Sequence, residues 1–199
     1  KSVIASHTEF TRQHYPKRME LYQTDHKEPG QIVMIGDSHT EKFDWNRAIR
    51  SRMTVYNRGI SGDTTDGVLN RLDAIVASQP AKAFLLIGTN DLWSQNSAAH
   101  ICNNIGKIAA IISKRSPKTR IYIQSVFPLR SDPGLNSVVS EINAELATLC
   151  EQHNYRFVDT AAIIGDDQGL LRKDMTYDGV HLNDKGYSAW VKEIKSYVR

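Results

Sequence analysis

A serine, a histidine and an aspartate in this chain could together form a nucleophile, its base and the carboxylate that orients the base. Ser38 lies in the run GDSH at 36–39, and Asp178 and His181 lie three residues apart in the run DGVH at 178–181. A serine hydroxyl is a poor nucleophile until an adjacent base takes its proton. One turn can carry both Asp178 and His181, so that the carboxylate fixes the imidazole tautomer and stabilises the imidazolium. These residues predict acyl-transfer chemistry.

Each of these residues also has a purely structural interpretation. Ser38 is a good helix N-cap, and Glu41 three residues later would complete a capping box. The two roles are compatible, because a helix N-terminus also stabilises the negative charge of a tetrahedral intermediate. The pair Asp178-Gly179 is typical of turns, and Asp174 is a rival carboxylate at a longer spacing from the histidine.

Two further polar runs supply candidate donors to an oxyanion. Gly62 lies in NRGISGDT at 57–64, and Asn90 lies in GTND at 88–91. Glycine allows a backbone N–H to approach a ligand closely, and an asparagine amide can stabilise an acyl-transfer intermediate. Taken singly, the two residues are equally typical of a turn and a loop cap. As a set with the serine and histidine runs, they favour catalysis.

The elements that must position these runs alternate between strands and helices. The predicted strands are 31–35, 53–57, 82–87, 119–126 and 155–158, and the predicted helices are 64–78, 98–116, 136–152 and 184–198. Near-continuous apolar runs indicate strands buried on both faces of a parallel sheet. The alternation predicts βαβ units and a doubly wound α/β domain. Ligands bind at the carboxyl ends of such strands, and the polar runs fall there.

The organisation and composition of the chain exclude several classes of protein. Residues 1–30 are predicted to be a helical lead-in packed on the outside of a single domain at 31–199. The net charge of +3, from 25 basic and 22 acidic residues mixed along the chain, predicts no nucleic-acid partner. No apolar run approaches the roughly 18 residues of a membrane span. Because the chain begins at Lys1, removal of a signal segment would favour a secreted or periplasmic location.

The remaining titratable residues of interest are cysteines and histidines. Cys102 and Cys150 lie in helical stretches and are predicted to be inert core thiols, with a single disulfide as the alternative. The histidines outside 178–181 have no partner pattern and are predicted to lie on the surface: His7, His14, His26, His39, His100 and His153.

Four ordered runs of the chain resemble the SGNH (GDSL-type) hydrolases: IGDS at 35–38, NRGISGDT at 57–64, GTND at 88–91 and DGVHL at 178–182. The resemblance implies a flavodoxin-like three-layer α/β/α fold with a five-stranded parallel sheet. It implies no metal and no organic cofactor. One departure is His39, where the family often carries Leu or Ile.

The same resemblance assigns roles to residues. It implies a catalytic triad of Ser38, Asp178 and His181. It also implies an oxyanion hole formed by the backbone N–H groups of Ser38 and Gly62 together with the side chain of Asn90. The resemblance therefore implies a serine esterase whose partner is a small-molecule ester.

The substrate class follows from finer similarity. The stretches NRGISGDTT, FLLIGTNDLW and IYIQSVFP resemble the branch that contains platelet-activating-factor acetylhydrolase catalytic subunits and carbohydrate or sialic-acid O-acetylesterases. This similarity implies short acyl groups, especially acetyl. Arg58, Trp93 and Tyr177 flank the polar runs and either bind a sugar or pack against the loops. The alternatives are a lysophospholipase or acyl thioesterase, and, from another class, a non-catalytic ligand-binding module.

Overall fold

A five-stranded, all-parallel sheet forms the centre of the protein. The computed structural model describes residues 3–24 and 28–198. The strands are β1 (Ile32–Gly36), β2 (Val55–Gly59), β3 (Lys82–Leu86), β4 (Arg120–Gln124) and β5 (Arg156–Val158). Their order in the sheet is β2-β1-β3-β4-β5, which is the order of flavodoxin-like sheets. The predicted doubly wound α/β fold is confirmed, with strand ends that lie within two residues of the predicted ones.

Ten helices surround the sheet within the described residues. They are α1 (Glu9–Thr24), α2 (Ser38–Glu41), α3 (Trp45–Ile49), α4 (Thr65–Asn70), α5 (Leu72–Val76), α6 (Thr89–Trp93), α7 (Ala98–Arg115), α8 (Asn136–His153), α9 (Ala161–Ile164) and α10 (Asp184–Val198). No helix in this part of the chain has both the length and the apolar character that a bilayer span requires.

Helices cover both faces of the sheet, and the side chains of β1, which alternate between the two faces, show why. All five residues of β1 are buried. Val33 and Ile35 belong to the apolar cluster that includes α7 and α8, whereas Ile32 and Met34 belong to the cluster that includes α10. Successive side chains of a strand point to opposite faces, so an entirely apolar strand needs cover on both sides. The result is three layers.

Helix α1 packs on this domain through three buried side chains. Tyr15, Met19 and Tyr22 form an apolar cluster with Ile60, which follows β2. The Tyr22 hydroxyl donates to the Gly59 carbonyl at 2.5 Å. The lead-in therefore contacts the chain directly after β2.

The predicted helix at 64–78 is two helices, because Arg71 interrupts it. Arg71 has φ −113° and ψ 8°, between α4 and α5. Its fully buried guanidinium donates through Nε to Asp63 Oδ2 at 2.9 Å, and through its two Nη groups to the carbonyls of Arg58 (2.7 Å) and Gly36 (3.1 Å). Burial acts against this charge, but Asp63 raises the pKa of Arg71 above its ordinary value. Arg71 thus ties the ends of β1 and β2 to the chain that follows β2.

The two cysteines are free thiols inside the core. Cys102 and Cys150 belong to the cluster between the sheet, α7 and α8. Burial raises the pKa of Cys102 to about 12 and that of Cys150 to about 11. Because only the thiolate is a strong nucleophile, neither cysteine is suited to covalent chemistry near neutral pH.

Replacing Arg71 by methionine tests the importance of the buried ion pair. We expect Arg71→Met to lower the free energy of unfolding by about 3–5 kcal/mol, because the buried Asp63 carboxylate loses its counter-ion. Urea unfolding measures the loss. Arg172→Met is the control, since the Arg172 side chain is exposed where it pairs with Asp174, and no measurable change is expected there. Equal unfolding midpoints for Arg71→Met and the unmodified protein would contradict the role assigned to Arg71.

Candidate active site

Ser38 is the first residue of α2, directly after the turn that ends β1. Asp37 is the N-cap of this helix, and its carboxylate accepts the His39 N–H at 3.0 Å. The predicted capping box is therefore wrong. Glu41 does not turn back to the start of the helix, because its carboxylate accepts the Ser61 N–H and lies 2.9 Å from His14 Nε2. Ser38 is left with its hydroxyl uncommitted to capping.

The structure brings Ser38, His181 and Asp178 together in one hydrogen-bonded chain. Ser38 Oγ lies 2.9 Å from His181 Nε2, and His181 Nδ1 lies 2.7 Å from Asp178 Oδ2. Asp178 Oδ1 also accepts the backbone N–H groups of Val180 (2.9 Å) and His181 (2.7 Å). Burial opposes ionisation of Asp178, but the bonds from His181 and the backbone lower its pKa below the ordinary value. A hydroxyl, an imidazole and an ionised carboxylate thus form a relay.

The rival carboxylate is engaged elsewhere. Asp174 binds the Arg172 guanidinium and the Lys185 ammonium. The hydrogen bond from Arg172, with that from Lys185, lowers the pKa of Asp174 well below its ordinary range. Asp178, and not Asp174, is the carboxylate that contacts the histidine.

The loop that carries His181 is closed on itself. Thr176 Oγ1 accepts the Gly179 N–H at 2.9 Å and donates to the His181 carbonyl at 2.6 Å. Gly179 has φ +85°, a conformation that favours glycine. Its carbonyl accepts the N–H groups of Arg130 (2.9 Å) and Ser131 (3.2 Å). The imidazole is therefore held by a loop that is fixed at both ends.

Asn90 lies between the two turns that hold Ser38 and Gly62. Its amide Nδ2 donates to the Asp63 carbonyl at 3.0 Å and lies 3.4 Å from Asp37 Oδ2. Asp63 follows Gly62 in the chain, and Asp37 precedes Ser38. The Asp63 N–H donates to the Ile60 carbonyl at 3.0 Å, and Gly62 has φ +79°, as the third position of a type II turn requires. Asn90 therefore contacts the residue before Ser38 and the residue after Gly62.

His39 is buried beside this relay and not on the surface, so its predicted exposure is wrong. Its Nδ1 lies 3.1 Å from Asp37 Oδ1, and its Nε2 lies 3.0 Å from the Val180 carbonyl. Carboxylate and carbonyl oxygens only accept hydrogen bonds, so both ring nitrogens donate and the ring is an imidazolium. Burial acts to lower the pKa of His39, but the Asp37 carboxylate and these bonds raise it above its ordinary value. His39 thereby links the serine turn to the residue before His181.

The other histidines differ in their surroundings. His7 is also buried, with Nε2 at 2.9 Å from Asp63 Oδ1, so the predicted exposure is wrong there too. His14 and His100 are half-buried beside carboxylates, and His153 is exposed as predicted. The prediction for His26 lies outside the described residues. His39 lies three residues after the buried strand β1, which is a signal for burial, whereas nothing near His7 in the sequence indicates its partner.

The three residues predicted to flank the site have different positions. Arg58 is only 3% exposed, with its guanidinium 4.7 Å from the Tyr22 ring and 4.9 Å from the Tyr56 ring, so the structure does not bring it to a substrate-accessible surface. Trp93 is 45% exposed and Tyr177 is 63% exposed. The Tyr177 ring stacks on the His181 ring, with centroids 5.8 Å apart and planes 10° apart.

A surface cleft opens next to Tyr177. It has a volume of about 630 Å³ and is lined by Lys42, Phe43, Tyr177, Leu182, Asn183, Asp184, Lys185 and Tyr187. Most of these side chains are charged, amide or phenolic. Because Tyr177 and Leu182 flank His181, the cleft adjoins the relay.

Three residues of metal-binding type lie together elsewhere on this edge of the sheet. The ligand atoms of Asp66, Asp91 and His100 are all within 4.8 Å of one another. Asp91 accepts the backbone N–H (2.9 Å) and the hydroxyl (2.6 Å) of Thr65, and burial raises its pKa to about 6. Asn104 Nδ2 donates to Asp66 Oδ1 at 2.9 Å. These contacts join α4, α6 and α7 into one polar network.

Comparison with known proteins supplies a family and several relatives. The model of the GDSL-like lipase/acylhydrolase family matches residues 34–189. Platelet-activating factor acetylhydrolase IB subunit alpha2 of Homo sapiens is 27% identical over 180 residues, which cover 86% of this chain and 77% of that protein. N-acylneuraminate cytidylyltransferase of Escherichia coli O18:K1:H7 is 25% identical over 202 residues, which cover 92% of this chain and 46% of that protein.

A comparison with solved structures shows the same fold in a related protein. A protein from Streptococcus pneumonia, provisionally described as a platelet activating factor, superimposes with a TM-score of 0.84 at 29% identity. The match covers 95% of this chain and 92% of that protein. The shared fold extends over nearly the whole chain.

The buried imidazolium predicts a specific dependence of stability on pH. A raised pKa in the folded state gives stabilisation that is fully present below the ordinary histidine pKa and is lost as pH rises through the folded value. His39→Gln is neutral at every pH. We expect the difference in free energy of unfolding between the unmodified protein and His39→Gln to be largest near about pH 6 and smaller near about pH 9. Urea unfolding across this range measures it, and a difference independent of pH would show that His39 is not charged.

Proposed function

Because this chain belongs to the GDSL-like lipase/acylhydrolase family, we propose that it is a serine esterase that hydrolyses short acyl esters, above all acetyl esters. The observation that carries the proposal is the relay from Ser38 through His181 to Asp178, with contacts of 2.9 and 2.7 Å. A binding protein has no need of a hydroxyl, an imidazole and a carboxylate in this order. The relay has the geometry that nucleophilic catalysis by serine requires.

In the first half of the proposed reaction, Ser38 becomes acylated. His181 Nε2 takes the proton from Ser38 Oγ as the oxygen attacks the ester carbonyl. Asp178 stabilises the resulting imidazolium and holds the ring in place. The imidazolium then donates its proton to the leaving alcohol as the ester bond breaks. Water repeats these steps on the acyl-enzyme and releases the acid and free Ser38.

The oxyanion formed in each half-reaction needs donors that are already in place. We assign this role to the backbone N–H groups of Ser38 and Gly62 and to the Asn90 amide. Asn90 carries two N–H hydrogens, and the Asp63 carbonyl accepts at 3.0 Å, whereas the contact to Asp37 is a long 3.4 Å. We assign to a bound oxyanion the second N–H of Asn90, whose contact is the longer one to Asp37. The first turn of α2 contributes a partial positive charge at the same place.

A carbohydrate is the proposed alcohol portion of the substrate. Tyr177 and Trp93 expose aromatic rings near His181 and Asn90, and aromatic faces suit the apolar faces of sugars. The adjoining cleft offers polar side chains, among them Lys42 and Asn183, that can bind hydroxyl and carboxylate groups. The name of one relative supports the acetyl group, and the name of the other, of which this chain matches 46%, supports an acylated sugar acid. We therefore propose an O-acetylated sugar, with O-acetylated sialic acid as the first candidate.

Hydrolysis of p-nitrophenyl esters tests the proposed reaction and its acyl preference. We expect acetate to be the best substrate, with rates that fall for butyrate, octanoate and dodecanoate. Ser38→Ala should lower kcat by more than about 10³-fold, because no other group can form the acyl-enzyme. Ser137→Ala, at an exposed serine of α8, is the matched control and should keep full activity.

The outcomes separate the candidate substrates. If the hydrolysis rate is highest for octanoate or dodecanoate, the proposed substrate is a lysophospholipid or an acyl thioester and not an acetyl ester. Ester hydrolysis at the unmodified rate by Ser38→Ala would overturn the mechanism. If acetate is preferred, acetate release from O-acetylated sialic acid, compared with an acetylated neutral sugar, identifies the alcohol portion.

Removal of the Asn90 amide tests the oxyanion hole. We expect Asn90→Ala to lower kcat by about 10²–10³-fold with little change in KM, because the lost hydrogen bond forms only in the transition state. Steady-state kinetics on p-nitrophenyl acetate provide both constants. Asn96→Ala is the control, since Asn96 Nδ2 donates to Asp91 Oδ1 at 3.2 Å and not to the proposed site. A loss below about threefold in Asn90→Ala would remove this residue from the oxyanion hole.

A further inference from the structure

A short segment that runs into the first turn of α1, outside the residues that the family model matches, contacts the proposed oxyanion hole. Residues 6–11 are here called the strap. We propose that the strap is a positioning element of the active site, and that His7 holds the turn at 60–63 in the conformation that presents the Gly62 N–H. This inference rests on the proposed esterase function.

His7 makes the central contact of the strap. It is 5% exposed, and its Nε2 lies 2.9 Å from Asp63 Oδ1. Because the Asp63 carboxylate only accepts, His7 Nε2 is the donor. Oδ1 also accepts the Thr64 N–H at 3.0 Å, and Oδ2 accepts Arg71 Nε at 2.9 Å. Loss of His7 would leave a fully buried carboxylate oxygen with one donor fewer, which costs free energy and removes one of the contacts that hold Asp63 in this position.

Movement of Asp63 would displace two of the proposed oxyanion donors, the Gly62 N–H and the Asn90 amide. Asp63 is bonded to Gly62, so a displacement of Asp63 acts through the Gly62 Cα on the neighbouring peptide, between Ser61 and Gly62, which carries the Gly62 N–H. The Asp63 carbonyl is also the acceptor that orients the Asn90 amide at 3.0 Å. A shift of Asp63 therefore displaces the Gly62 N–H and releases the Asn90 side chain together.

Thr11 fixes the same turn from its other side. A Cβ on Gly62 would overlap Thr11 Oγ1, so the strap packs directly against the Gly62 Cα. Thr8 Oγ1 lies 2.9 Å from Thr11 Oγ1 and accepts the Thr11 N–H at 3.2 Å, which caps the start of α1. Thr11 is therefore held in place by Thr8, and its side chain packs against the turn at Gly62.

Ser6 connects the strap to the two chain segments that carry the donors. Its Oγ lies 2.7 Å from Thr64 Oγ1, just after the turn, and its carbonyl accepts the Ser94 hydroxyl at 2.8 Å, just after α6. Asn90 lies in α6. The strap thus joins the segment that supplies the Gly62 N–H to the segment that supplies the Asn90 amide.

His7 is a positioning residue in this scheme, because Asp63 lies between it and the reacting atoms. Donors in an oxyanion hole are effective only when their position is fixed before the reaction. Substitution of His7 should therefore lower kcat and leave KM nearly unchanged. A purely structural residue would lower the amount of folded protein and leave kcat per active site intact.

The experiment compares three variants of the full chain on p-nitrophenyl acetate, with Ser38 sites counted by fluorophosphonate titration. We expect His7→Ala to lower kcat by about tenfold or more with KM changed less than about twofold. His7→Gln should recover most of the loss, because its amide nitrogen can donate to Asp63 in place of Nε2. Tyr15→Phe is the matched control in the lead-in: it loses the 2.8 Å bond to the Gly67 carbonyl, and should lower Tm while kcat stays the same.

A double-mutant cycle with Asn90→Ala shows whether His7 acts through the oxyanion hole. If it does, His7→Ala should lower kcat by less than about threefold in the Asn90→Ala background, well below its effect in the unmodified protein. Full kcat in His7→Ala would overturn the role of the strap while leaving the esterase proposal intact, and equal multiplicative losses in both backgrounds would overturn its action on Asn90. Absence of Ser38-dependent hydrolysis in the unmodified protein would instead overturn the proposed function.

Discussion

The buried ion pair between Asp63 and Arg71 is the constraint on which the rest of the site depends. Both side chains are shielded from water, and three donors of Arg71 are used on Asp63 and on carbonyls at the ends of β1 and β2. Buried charges are tolerated only when they are paired and fully hydrogen-bonded. The pair can form in one arrangement of these strand ends, so it fixes the turn at 60–63 relative to the serine turn. The attraction between the two charges and their hydrogen bonds offset the cost of burying them, and the same contacts define the geometry of the turn.

A second buried charge fixes the base relative to the nucleophile. Ser38 and His181 are separated by 143 residues, and the bond between them requires two independent loops to meet. His39 spans the same gap, because it binds Asp37 on one side and the Val180 carbonyl on the other. The turn at 60–63 is thus anchored by the Asp63–Arg71 pair, and the serine turn and the histidine loop are anchored by His39. This arrangement suits a reaction in which charge develops at fixed donors and little reorganisation is possible.

The two anchors differ in how they respond to change. Arg71 stays protonated across the ordinary pH range, and despite its burial its pKa is raised further by Asp63. His39 carries a proton that it can lose as pH rises, so the link between Asp37 and the histidine loop is conditional. The strap adds a third anchor, which comes from a segment before the sheet and contributes no group to the reaction itself.

The sequence by itself determined the sheet and the location of the polar runs. Largely apolar strands separated by amphipathic helices favour a parallel sheet with helices on both faces. The carboxyl ends of the strands in such a sheet lie at one edge. Ser38 and Asn90 could therefore be selected as neighbours from the strands that they follow, whereas Asp178 and His181 were selected by their three-residue spacing and by the resemblance to the SGNH hydrolases.

Only the tertiary structure decided which charged residues serve as supports. Arg58 and Arg71 are both arginines near β2, yet Arg58 stacks between tyrosine rings and Arg71 breaks a helix to reach three acceptors. His7 and Asp63 are 56 residues apart, and no local pattern links them. Local patterns follow from the periodicity of one element. The partner of a buried charge, in contrast, is chosen by which distant backbone groups lack a hydrogen bond once the elements have packed, and that information exists only in the folded chain.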